Sequence, residues 1–151
     1  MRMAMAMAAA LLTLGAAGGA SAADGDALKA GDVKVLGQVA NAQVEFIQHD
    51  YDVVVEALKP DLQPAVFDTL SGGMRYEVLK LYARSLYGLS NWDEAHEAFV
   101  DLTRSSRATP QDWLLRLDTA VKVGDADDAA VAKDRLRDAA SSDDGDDSGA
   151  V

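Results

Sequence analysis

The chain has 151 residues, with 14 Lys and Arg against 25 Asp and Glu, no Cys, and 6% aromatic residues. That length bounds one domain with room for a processed segment. The net charge of −11 leaves no basic stripe to neutralise phosphates and excludes a nucleic-acid binder; the lack of Cys excludes disulfide scaffolds, thiolate zinc sites and Cys nucleophiles.

Residues 1–23 hold a single base, Arg2, and no acid. An apolar run from Met3 to Leu14 follows, Gly15 to Gly19 weaken it, and Ala20-Ser21-Ala22 supplies a small-x-small exit. A basic start, an apolar middle and a small-residue exit form a secretory signal peptide over 1–22, which implies a periplasmic or secreted protein. Cleavage and retention as an anchor are the two fates open to it. With three Leu and four Met as its only strongly apolar residues, the segment favours removal, and no stable membrane insertion then remains. Residues 23–31 read as a flexible mature N-terminus.

From Asp32 to Ala140 the apolar residues recur at three and four, the helical spacing. Val35, Val39, Ala42 and Phe46 form the first stripe; Leu79, Tyr82, Ala83, Leu86 and Leu89 the clearest; Trp92, Ala95, Phe99 and Leu102 the next; Trp113, Leu114, Leu117 and Val121 the last. Pro60, Pro64, Ser71-Gly72-Gly73, Pro110 and Gly124 punctuate the stretches between. The pattern predicts helices near 32–48, 51–59, 64–70, 74–89, 92–106, 110–123 and 125–139, an all-α chain whose short connections force antiparallel neighbours. Asn91 before Trp92-Asp93-Glu94, and Thr109 before Pro110-Gln111-Asp112, read as helix caps.

Leu79 and Trp113, Asn91 and Asp125, and Ala95 and Ala129 are each 34 residues apart. The segment from Tyr76 to Phe99 resembles a tetratricopeptide repeat. Leu79, Tyr82, Ala83 and Leu86 take the large–large–small–large places of its first helix. Ser90-Asn91-Trp92 takes the turn, Ala95 the small crossing position and Phe99 the aromatic place one turn later. Pro110 to Leu136 resembles a second copy, with Trp113, Leu117, Gly124-Asp125 and Ala129 in the matching places, although Arg116 and Lys133 stand where the family is apolar. Asp50-Tyr51-Asp52 resembles the turn once more, 41 residues before Trp92, so the chain between Pro60 and Gly73 carries extra length. The resemblance implies a short right-handed stack of helix hairpins, a tetratricopeptide-like α-solenoid over 32–140; a generic helix bundle without repeats is the competing architecture.

No motif with a catalytic mechanism is present. His49 and His96 do not share a helix at ligand spacing, Gly-x-Ser-x-Gly is absent, and Ser71-Gly72-Gly73-Met74 lacks the Lys of a phosphate loop. These features point to a non-enzymatic chain without a cofactor or metal. Residues 141–151 are acidic and without aromatics, which reads as a disordered tail lacking the ligand spacing of a calcium loop.

The resemblance further implies a groove lined by first helices, where the family holds peptides or partner helices. Its groove positions map to Glu77, Lys80, Arg84 and Tyr87 on one copy and to Gln111, Leu114, Asp118 and Val121 on the next. Lys80 and Arg84, one turn apart, would accept a carboxylate of a protein or peptide partner; the plain alternative is an exposed helix face on which Glu77, Lys80 and Arg84 balance one another. The leading reading is an exported protein-interaction module. Its rival is an accessory or truncated region of a larger envelope complex or enzyme whose activity lies outside this chain. N-terminal sequencing of the exported protein should find a start near Ala23; recovery of Met1 on membrane-bound protein would reject cleavage.

Overall fold

Helical periodicity broken by Gly, Pro and Ser becomes a run of helices folded back on one another. The computed structural model describes residues 27–143; the signal segment, the first residues of the mature start and the tail from 144 onward lie outside the described residues. Among the described residues there is no strand. The elements are α1 (Ala30–Ile47), α2 (Tyr51–Leu58), a 3-10 turn (Lys59–Leu62), α3 (Pro64–Phe67), α4 (Gly72–Gly88), α5 (Trp92–Leu102), α6 (Pro110–Val123) and α7 (Ala126–Asp143). The all-α expectation holds.

Several boundaries differ from the sequence expectation for local reasons. The Ser71 hydroxyl accepts the Met74 N–H at 3.2 Å, so α4 begins at Gly72 instead of after the two glycines. Helix α5 stops at Leu102 because Thr103 turns its hydroxyl back to the Phe99 carbonyl, 2.8 Å away, ahead of a Ser-rich turn. At the other end, Ser141 and Ser142 donate to the carbonyls of Arg137 and Asp138, at 3.0 and 2.9 Å. Helix α7 therefore runs on through Asp143, into the stretch expected to be a disordered tail. The expected helix 64–70 shrinks to the single turn of α3, preceded by a 3-10 turn that starts at the Lys59-Pro60 pair.

Three chain reversals share one geometry. His49, Ser90 and Gly124 adopt left-handed φ values of 66°, 59° and 80°. In each case the next residue's N–H reaches back five positions: Asp50 to Glu45 at 3.0 Å, Asn91 to Leu86 at 3.0 Å and Asp125 to Ala120 at 2.9 Å. These bonds satisfy a carbonyl that the ending helix leaves open. The backbone carbonyl of the same Asx residue then accepts the N–H of the fourth residue of the next helix, Val54, Ala95 and Ala129 respectively. Helices α1–α2, α4–α5 and α6–α7 are thus three hairpins closed by equivalent turns.

Helix α4 is the spine. Its Val78 and Leu81 join Val35, Val39, Ala42, Val54, Leu58 and Leu70 in one core cluster. Its Tyr76, Ala83 and Leu86 join Val55, Ala95, Ala98, Phe99 and Leu102 in the other. Ala83 and Ala95 are wholly buried at the α4–α5 crossing, where small side chains let the backbones approach. Close approach recurs at α2: a Cβ on Gly88 would lie 2.5 Å from the Tyr51 ring. The second-copy register departs from expectation, since the fully buried alanine of α7 is Ala132 and Ala129 is only half-buried.

The left-handed turns give a two-sided test. A side chain in this conformation costs about 1–2 kcal/mol, so Ser90→Gly should raise stability by about 0.5–1 kcal/mol after the added freedom of the unfolded glycine is offset. Gly124→Ala should lower it by about 1 kcal/mol, although the space around Gly124 is open. Urea midpoints moving in these opposite directions would verify the shared geometry.

Candidate interaction surface

The candidate residues lie on α4 and α6, and side-chain bonds between the two helices fix how they meet. Thr109 caps α6 by accepting the Asp112 N–H at 3.3 Å, and the Asp112 carboxylate accepts the Thr109 N–H at 2.9 Å. Both Asx-type and Thr-type partners are local, as the sequence anticipates. Asp112 is also completely buried. Its Oδ2 accepts the Tyr76 hydroxyl at 2.6 Å, and its Oδ1 accepts Nη2 of Arg84 at 2.9 Å. Further along, the Tyr87 hydroxyl donates to Asp118 at 2.7 Å. Early residues of α4 meet early α6, and late residues meet late α6, so the helices run in the same direction.

Lys80 and Arg84, the two cations expected to accept a partner's carboxylate, each have a carboxylate of this chain beside them. Arg84 is long enough to reach across to α6 and satisfies a carboxylate of its own chain. Lys80 donates to Glu77 at 2.8 Å, with its ammonium 5.1 Å from the Tyr76 ring centre. Tyr87 and Asp118 are bonded to each other, and Lys122 pairs with Asp118 as well. Of the eight candidates, Gln111, Leu114 and Val121 remain exposed without a polar tie among the described residues, Leu114 at 49% and Val121 at 65%.

Electrostatics follow from these contacts. Burial pulls the Asp112 carboxyl upward, but the donors Tyr76, Thr109 and Arg84 outweigh it and hold the group below its ordinary range. Burial first, then the bond to Asp112, pushes the Tyr76 phenol up to about 12. Lys122 and then Tyr87 hold Asp118 low. Asp32 on α1 repeats the Asp112 pattern: it is fully buried, its Oδ2 accepts the Lys29 N–H at 2.8 Å, and its Oδ1 accepts the Ser71 N–H at 2.8 Å. Burial raises it, and the Lys29 and Ser71 bonds more than reverse that.

Arg116, at a place the resemblance leaves apolar, is nine-tenths buried and solved differently. Both of its terminal nitrogens on one edge donate to the Asp128 carboxylate, Nε at 2.8 Å, while Nη1 donates to Thr103 at 2.8 Å. The resulting ion pair joins α6 to α7 and holds Asp128 below its ordinary range. His96 is half-buried beside it, with Nε2 3.6 Å from Asp125 and 3.7 Å from Asp128. Among the described residues no three His, Asp or Glu side chains are placed to hold a metal ion. The two Trp are each half-buried under cations: Lys122 lies 4.8 Å from the Trp92 ring centre and Arg116 5.0 Å from that of Trp113. No helix among the described residues is long and apolar enough to cross a membrane. Compared with protein families, with curated proteins and with solved structures, the chain matches none of them.

The buried carboxylate sets a pH dependence. A carboxyl held below its unfolded value of about 3.9 contributes stability above that pH and loses it as pH falls through the lowered folded value. Asp32, Asp112 and Asp128 all act in this sense, so acid should destabilise the fold below about pH 4. Arg84→Met should cost about 2 kcal/mol at pH 7 and less in strong acid, once the pH has fallen through the lowered folded value of Asp112 and protonation removes the charge that Arg84 pairs with. Asp112→Ala should cost about 3 kcal/mol at pH 7, because Tyr76 and Arg84 lose their shared acceptor. Urea titrations at pH 7 and in strong acid measure both; an Arg84→Met cost that does not change with pH would remove the ion pair from the account.

Proposed function

We propose that the chain is an exported, non-enzymatic interaction module that holds a protein or peptide partner on the face built from α4 and α6, the groove side of a tetratricopeptide-like stack. Support for the stack comes from the three equivalent hairpin turns and from the parallel run of α4 and α6. The observation that carries the functional reading is the exposure of Leu114 and Val121, two turns apart on α6, beside polar groups already tied to one another. Apolar side chains left outward next to a satisfied polar lattice give a partner area to cover without breaking any bond. Helix α1 adds a second outward stripe, Val33, Leu36, Val44 and Ile47, on a different side from its buried Val35, Val39 and Ala42.

On this reading Arg84 positions the face and does not contact the partner. Lys80 still can, because its i, i+3 pair with Glu77 is partly exposed, and such pairs contribute little that a partner must overcome. A partner captured from an envelope extract with the mature chain should be lost with Leu114→Asp/Val121→Asp and weakened by Lys80→Ala at low salt. It should be kept when residues 144–151 are deleted. Circular dichroism and melting must match the parent. Retention of the partner by the double aspartate variant would move the site off this face.

A further inference from the structure

The extra length between Pro60 and Gly73 builds something. Leu62 from the 3-10 turn and Phe67 from α3 form a wall facing α5, and between them and the helices lies an open cavity of about 660 Å³. Leu79 and Tyr82 of α4 and Ala98 of α5 line its apolar part. Leu79 and Tyr82 stand on the opposite side of α4 from Glu77, Lys80 and Arg84, given 3.6 residues per turn. The volume falls within the range of ligand-binding clefts, about 300–1,000 Å³.

The rim carries an excess of acid. Glu94, Glu97 and Asp101 of α5 border the cavity, with Arg104 as the opposing cation. Arg104 is bound to Asp101 at 2.8 Å. The nearby Lys59 is bound to Glu56 at 2.6 Å. Lys59 also lies close enough to Glu94 for the two charges to interact, but among the described residues neither Glu94 nor Glu97 is drawn into a direct hydrogen bond as Glu56 and Asp101 are. An apolar hollow whose lining carries three acids, Glu94, Glu97 and Asp101, against the single cation Arg104 fits a ligand that is greasy in the middle and positive at its edge. The acids recur at three and seven along α5, about 10 Å from first to last at 1.5 Å per residue. Lys or Arg at the same spacing on a partner helix would meet them in register.

We propose that this cavity is a second docking site, separate from the α4–α6 face, and that it takes a basic amphipathic helix of a protein partner. Apolar side chains of that helix enter between Leu62, Phe67, Leu79 and Tyr82, and its flanking cations meet Glu94 and Glu97. The extra segment is then a recognition element, because without Leu62 and Phe67 the cavity has no outer wall.

Fluorescence anisotropy with a labelled synthetic helix, Leu along one stripe and Lys flanking it, tests this on the mature chain. Glu94→Gln/Glu97→Gln should weaken binding about tenfold at about 50 mM salt and much less at about 300 mM. Asp134→Asn/Asp138→Asn removes the same charge from α7 and should change binding less than about twofold. Replacing the probe's Leu by Ser should weaken it about tenfold or more. Equal losses from the two double variants would reduce the effect to overall charge and overturn the proposal, as would an unchanged affinity for the Ser probe. Sedimentation showing that the parent dimerises through Glu94 and Glu97 and excludes the probe would assign the cavity to a second copy and overturn it too. Leu114→Asp/Val121→Asp leaves the cavity intact and should bind the probe like the parent, so the two sites fail independently.

Discussion

One buried carboxylate organises the C-terminal half of the fold. Asp112 sits at the third position of α6, where a carboxylate ordinarily does no more than close a helix start. Here its two oxygens collect Thr109, Tyr76 and Arg84 at 2.6–3.0 Å, and the local cap becomes a tie between helices. Because the group is wholly buried, every one of those donors must be in place for it to remain charged. The position of α6 along α4, the direction of the Arg84 side chain and the neutrality of Tyr76 all follow from it.

Asp32 performs the same task at the other end. It occupies the third position of α1 and accepts the Ser71 N–H that opens α4. Two first helices are therefore fastened to the central one through carboxylates at their own N-termini. Such ties suit a chain in which alanine is the commonest apolar residue. Its apolar core holds α1, α2, α4 and α5 well, while α7 contributes a single fully buried apolar residue, Ala132. What joins α7 to α6 is the Arg116–Asp128 pair with Thr103 beneath it. Buried pairs add less stability than apolar packing of equal volume, but they tolerate only one alignment. The polar half of this molecule is specified by bonds, the apolar half by burial.

That division also explains what could be read from the residue order. Spacing at three and four located the helices between residues 30 and 123 to within a turn, because burial of one stripe is a local property. The hairpin turns were visible as Asp50, Asn91 and Asp125, yet only Gly124 advertised a left-handed backbone; His49 and Ser90 adopt it because the turn bonds demand it. The tetratricopeptide resemblance mapped a groove onto Glu77, Lys80, Arg84 and Tyr87 of α4. It could not give the reach of the long side chains. Arg84 and Tyr87 end at Asp112 and Asp118, acids whose roles appear only when α6 lies beside α4. The Thr109-Pro110-Gln111-Asp112 cap was the available signal: a capping acid followed by buried positions has to find further donors. Leu62 and Phe67 gave no signal, since a wall depends on where an irregular segment folds back.

The two sides of α4 then differ in kind. Toward α6, most charged groups are matched within the chain, although Arg84 Nε is buried without a partner among the described residues, and Leu114, Val121, Gln111 and Lys80 are left to present outward. Toward α5 and the extra segment, matching stops short, and Glu94 and Glu97 border a hollow where acids outnumber cations. A protein under no demand but stability would fill that hollow or neutralise its rim, because like charges one turn apart on a helix repel. Helix α5 instead carries Asp93 and Glu94 in its first turn, where the helix dipole offsets part of the repulsion. Glu97 lies beyond that turn and has no such compensation. The unbalanced charge is concentrated where the cavity opens, and the excess of acid in the chain as a whole draws any basic helix toward it from a distance set by the ionic strength.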